Sequence, residues 1–170
     1  MSDLTRTKGT GMNVEIKPLE SSDKDWVLTI IRHWGADFVV TRGRKVYPAE
    51  IEGFYAVNET GERVGLVTFE IVNDQCEIVT LDAFVQWSGI GTQLIEQVRT
   101  TARKRGCKRL WLITTNDNIP AIRFYQRRDF ELVAIHRNAL DLSRALKPSI
   151  PLVGMHGIPI RDELEFEQKL

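Results

Sequence analysis

Apolar and polar positions alternate along Asn13 to Leu19, the period-two signature of a half-buried strand. Ser21-Ser22-Asp23 then offers a helix start, and Trp26, Ile30, Ile31 and Trp34 follow at helical spacing. Gly35 to Glu50, with Arg42, Gly43, Arg44 and Lys45, carries neither period and reads as an irregular loop, longer than an ordinary connection. Ile51 to Val57 and Arg63 to Val72 are strand-like, and Asn58-Glu59-Thr60-Gly61 between them predicts an antiparallel hairpin. Asn73-Asp74 turns the chain again into Gln75 to Leu81, so three successive strands form a meander.

The period then changes. Ile90, Leu94, Ile95, Val98 and Ala102 recur on one helical face until Gly106 stops the helix. Arg109 to Thr114 reads as a short buried strand, Pro120 opens a helix through Arg127, and Phe130 to Ile135 returns as a strand. Beyond it, Asn138 to Leu146 suggests a helix, Lys147 to Pro159 a Pro/Gly-punctuated loop, and Glu163 to Lys169 a last strand with Leu164, Phe166 and Gln168 on one face. That alternation fits an internal edge strand and equally a strand paired across a homodimer. Residues 1–11 are polar and Gly/Thr-rich, expected as a loose leader; 12–170 are expected to form one domain, with an extension at about 137–170.

Composition narrows the function classes. With 42% apolar residues the chain can bury a core without staples, and equal counts of 23 basic and 23 acidic residues argue against nucleic-acid binding and a polybasic membrane anchor. No apolar run nears the roughly 20 residues a membrane span needs, and the first residues lack the apolar stretch of a secretory signal, so a cytoplasmic protein is expected. Cys76 and Cys107 are expected as buried reduced thiols, and no Cys/His spacing suits a metal.

The segment Leu81-Asp82-Ala83-Phe84-Val85-Gln86-Trp87-Ser88-Gly89-Ile90-Gly91-Thr92 ends a strand and feeds the N-terminus of the strongest helix. Backbone N–H groups in such a turn form a concave nest, glycines admit a ligand close to the main chain, and the helix dipole adds positive charge, so a pyrophosphate fits. Gly89 and Gly91 equally suit a plain tight turn, and neither a P-loop nor a full dinucleotide fingerprint is present. Gln86-x-x-Gly89-x-Gly91 resembles the acetyl-CoA loop of the GNAT superfamily of N-acetyltransferases. Asn118-x-x-Ala121-x-x-Phe124-Tyr125, followed by Asp129-Phe130, is similar to that family's later motif, with Asp129 where the family prefers glycine. The resemblance spans roughly Met12 to Ile135. It implies a single-domain α/β (α+β) fold of the GNAT type, with a central mixed, mostly antiparallel sheet flanked by helices.

The resemblance also implies the chemistry: direct attack of a neutral primary amine, on a small molecule or peptide, upon the thioester of acetyl-CoA, with no covalent acyl-enzyme and no metal. A lysine-like ammonium, with pKa about 10.4, must lose a proton, the oxyanion needs a donor, and the departing thiolate benefits from an acid. Tyr125 stands at the family's acid position, although its spacing to Ala121 and Phe124 also suits plain packing. Strand alternation places Gln75, Glu77, Val79 and Leu81 on one face, making Glu77 a candidate base, directly or through water; an exposed strand glutamate is the alternative. The Leu81 N–H is the candidate oxyanion donor, Ala83 would pair with the pantetheine arm, and the amides of Gln86, Trp87, Ser88, Gly89, Ile90, Gly91 and Thr92 would hold pyrophosphate. Asn118 suits either a pantetheine contact or a helix cap.

For the amine acceptor, Trp34, Asp37, Phe38, Arg42 and Tyr47 are candidate lining. The basic cluster from Arg99 to Arg109 reads as a solvated helix face, and His33, His136 and His156 as ordinary polar or capping residues. A non-catalytic acyl-CoA-binding regulatory module is the alternative function, because a fold alone does not dictate turnover.

Overall fold

The computed structural model describes residues 11–170, so the leader expected at 1–11 lies, except for Gly11, outside the described residues. A seven-stranded sheet carries the molecule: β1 (Val14–Pro18), β4 (Glu52–Asn58), β5 (Arg63–Val72), β6 (Gln75–Ala83), β7 (Arg109–Thr115), β9 (Glu163–Lys169) and β8 (Glu131–His136), in that spatial order. All neighbours are antiparallel except β6 and β7, which are parallel. A parallel pair needs a crossover, and α2 (Ile90–Lys104) supplies it. Helix α3 (Ile119–Gln126) links β7 to β8, while α1 (Lys24–Arg32) follows β1 and α4 (Ala139–Leu146) follows β8.

The unbroken run of buried residues from Val64 to Phe69 in β5 has a physical cause, since both faces of the strand are covered. Val67 and Phe69 pack with Leu94, Ile95 and Val98 of α2, whereas Leu66 packs with Val27 and Ile31 of α1 on the opposite face. Phe69, Leu94 and Phe166 are almost wholly buried, and each such side chain contributes about 1.5–3 kcal/mol through lost water contact. Gly89, at φ 79°, starts α2, Arg103 and Lys104 suit the negative end of its dipole, and Gly106, at φ 78°, ends it.

Two expectations are corrected. The stretch from Gly35 to Glu50 is not irregular throughout: Val39–Thr41 (β2) and Arg44–Val46 (β3) form a small antiparallel hairpin around Arg42 and Gly43, both at positive φ. Strand β9 is no edge and offers no seam for a dimer, because both of its sides are already paired, with β7 and with β8. The extension is therefore built into the sheet. No helix among the described residues is long and apolar enough to cross a membrane.

Candidate active site

Strand β6 keeps its ladder with β7 only from Gln75↔Arg109 to Ile78↔Leu112, after which the two strands part. The parting coincides with a bulge: Thr80 pairs with Thr68 and Ile78 with Phe69, which leaves Val79 as an extra residue. From Val79 to Ala83, β6 thus has no strand partner on its β7 side. Between the parted strands lies a cavity of about 200 Å³. Ile78, Leu81, Leu112, Asn118, Ala121 and Tyr125 line it on the α3 side; Trp34, Thr80 and Ile113 line it on the other. The cavity is thus a slot between the parted strands, lined from both faces of the sheet.

The bulge also overturns the alternation expected for β6. Glu77 pairs with Glu70, and Thr80 with Thr68, on the α1 side of the sheet, so Leu81 falls on the opposite face from Glu77. Glu77 is not among the residues lining the slot. It is buried beneath the small hairpin, where Thr41 Oγ1 donates to its Oε1 at 2.8 Å and Arg44 Nη2 donates to its Oε2 at 2.5 Å. Arg44 also pairs with Glu70 at 2.8 Å. Burial pushes the Glu77 carboxyl above the ordinary range, while Thr41 and Arg44 pull it back.

Tyr125 is buried among Phe124, Phe130 and Phe166 and lines the slot. Burial raises its pKa, opposed only by the charge of Arg128, so the phenol holds its proton near neutrality. Asn118 caps α3, accepting from the Ala121 N–H at 3.3 Å, and lines the slot as well. Asp129 adopts φ 62°, the left-handed turn that the glycine of the resemblance would have supplied.

Strand β6 continues past the slot into the loop of Gln86, Trp87, Ser88 and Gly89, which joins it to α2. Trp87, at φ 61°, and Gly89, at φ 79°, both sit in the left-handed region. The α2 ladder begins with the Gln93 N–H to the Gly89 carbonyl at 3.1 Å, so the N–H groups of Ile90, Gly91 and Thr92 have no helical acceptor. No acidic residue occupies the first turn of α2. Loop, helix end and slot together fit a diphosphate carrying a slender thioester arm.

The sequence model described as "Acetyltransferase (GNAT) family" matches residues 21–130. The chain belongs to this family. A Bacillus subtilis (strain 168) relative, YdhI, itself uncharacterized, is 44% identical over 137 residues, covering 81% of this chain and 86% of that protein. Among solved structures, the IAA acetyltransferase from Bacillus cereus ATCC 14579 is 18% identical with a TM-score of 0.71, covering 93% of this chain and 100% of that one. A GNAT family acetyltransferase from Elizabethkingia anophelis with acetyl-CoA bound is 20% identical with a TM-score of 0.69, covering 93% and 99%. These two share the fold of this chain.

Of the residues singled out in the sequence, the slot gathers Leu81, Asn118, Tyr125 and Trp34. Phe38 and Tyr47 pack on each other, with Lys45 over the Phe38 ring, and Arg42 reaches toward Glu163 at 3.5 Å. Thr80, Ile113 and Thr114 line the slot without having been singled out. Nothing local marks them, because the bulge and the parting of the strands select them.

Proposed function

We propose that this family member transfers an acetyl group from acetyl-CoA directly to a primary amine of a small molecule or peptide. One observation carries the reading: the slot is lined from both faces of the sheet, by Ile78, Leu81 and Tyr125 on the α2–α3 face and by Trp34 and Thr80 on the other, and strand β6 beside it runs on into the loop and bare helix end. Two ligands arriving from opposite faces would meet there. When bound, acetyl-CoA supplies the electrophilic carbonyl.

The amides from Gln86 to Thr92 take the diphosphate, Ala83 pairs with the arm along the free side of β6, and the Leu81 N–H faces the developing oxyanion. Tyr125, which lines the slot, gives its phenolic proton to the departing sulfur. Glu77 receives the amine's proton at one water's remove, since it stands off the slot with its oxygens already engaged by Thr41 and Arg44. Asn118 caps α3 and so sets the helix that carries Tyr125. The cytoplasm is the proposed setting, consistent with the buried free thiols of Cys76 and Cys107.

The test is thiol release from acetyl-CoA across small amines, polyamines, amino acids and lysine peptides, beside a CoA titration. Turnover with one amine class supports the reading and names the acceptor. CoA binding without turnover on any amine favours a regulatory acyl-CoA sensor instead.

A further inference from the structure

Arg128 lies just past α3, yet its side chain reaches the start of α2. Its Nε and Nη2 donate to Thr92 Oγ1 at 2.8 and 2.6 Å, and its Nη1 donates to the Phe124 carbonyl at 2.8 Å. The guanidinium rests 3.5 Å above the Phe124 ring centroid. Phe124 in turn covers Gly91, where an added Cβ would come within 3.0 Å of the ring. Helix α3 is thereby locked to the first turn of α2 by stacking and by a fork of hydrogen bonds.

Electrostatically the arrangement is uphill. A helix N-terminus is already positive, and a cation beside it is unfavourable unless an anion shares the place. Among the described residues no carboxylate lies within ion-pairing distance of Arg128, whereas Arg44, Arg63, Arg105 and Arg109 each have one. Burial and the neighbouring Arg127 both disfavour its charged form. Thr92 adds a directional element. A hydroxyl has two acceptor sites and one hydrogen; with Arg128 donating twice to the oxygen, the hydrogen is left to donate outward.

We infer that Arg128 is a positioning residue for the diphosphate of the acyl donor: it places a charge beside that group and turns the Thr92 hydroxyl toward it. The inference rests on the proposed use of acetyl-CoA and adds a residue from the turn after α3 to a site otherwise built from the β6–α2 loop. It concerns only the phosphorylated part of the donor, not the thioester.

The experiment compares kcat/KM for acetyl-CoA, acetyl-dephospho-CoA and S-acetyl-pantetheine in the wild type and in Arg128→Met, Arg128→Lys and Thr92→Val. The ratio of acetyl-CoA to S-acetyl-pantetheine should fall about tenfold in Arg128→Met, with a smaller loss in Arg128→Lys, and the loss should shrink at high salt. The same fall should appear with acetyl-dephospho-CoA, which keeps the diphosphate and lacks the 3′-phosphate. Thr92→Val should lower the ratio too, and less than additively when combined with Arg128→Met. An equal loss on all three donors would mean a purely structural clamp and overturn the inference. A loss confined to acetyl-CoA would overturn the diphosphate assignment. A wild type that uses none of the donors would instead defeat the acetyltransferase reading itself.

Discussion

Replacing Arg44 by methionine removes the one cation shared by Glu70 and Glu77 while keeping most of its length. The Glu77 side chain is only 4% exposed, that of Glu70 26%, and that of Arg44 45%. Breaking a buried pair by deleting one partner costs about 3–5 kcal/mol, and the exposure of Arg44 screens the pair, so about 2–3 kcal/mol is expected at neutral pH. For a chain of this size that corresponds to a fall in Tm of about 4–12 °C. Glu77→Gln should cost less than about 1 kcal/mol, because the amide oxygen still accepts from Thr41 or Arg44 and no charge remains buried. The two variants therefore separate charge burial from hairpin attachment.

The pH dependence follows from the direction of the Glu77 shift. Its folded-state pKa lies above the ordinary carboxyl value, so folding favours proton uptake, and stability falls as pH rises from that value through the raised one. Losing Arg44 removes one of the two influences that lower it, leaving Thr41, and widens this window. The Arg44→Met deficit, measured by thermal melts, should accordingly shrink between about pH 7 and about pH 5. A deficit below about 1 kcal/mol at neutral pH, or one of equal size at both pH values, would refute the reasoning.

Three further outcomes are expected. Tyr125→Phe should lower kcat about 100-fold with the Kd for CoA unchanged, because the hydroxyl acts only as charge builds on sulfur; unchanged kcat removes it from the mechanism. Trp87→Gly relieves a left-handed φ of 61° on an indole that is 88% exposed, so Tm should rise by about 1–3 °C, and CoA affinity should hold within about twofold if the backbone amide is the contact. A lower Tm, or a large loss of affinity, would show that the indole itself has a role. The Cys76 thiol is fully buried and pushed up to about 12, so a thiol reagent should modify it only on unfolding; rapid reaction in the folded protein would contradict its placement.

The main elements were legible because long apolar periods and turn residues agree: α2 is marked by its stripe and by Gly106, and the β4–β5 hairpin by Asn58 to Gly61. The loop, Asn118 and Tyr125 were legible as a motif. The β2–β3 hairpin was not, since strands of three residues are too short to show a period. The bulge at Val79 carries no glycine or proline to announce it, and with it went the face assigned to Glu77. Arg128 lies in no motif; its partner Thr92 is 36 residues away, a proximity that only the packing of α3 on α2 creates.

Direct transfer through the slot is tested most simply with radiolabelled acetyl-CoA, the wild-type protein and the amine panel, with protein and small molecules separated after denaturation. Direct transfer puts label on an amine and none on the protein. Label held covalently by the protein, or label that never leaves acetyl-CoA with any amine, would contradict it.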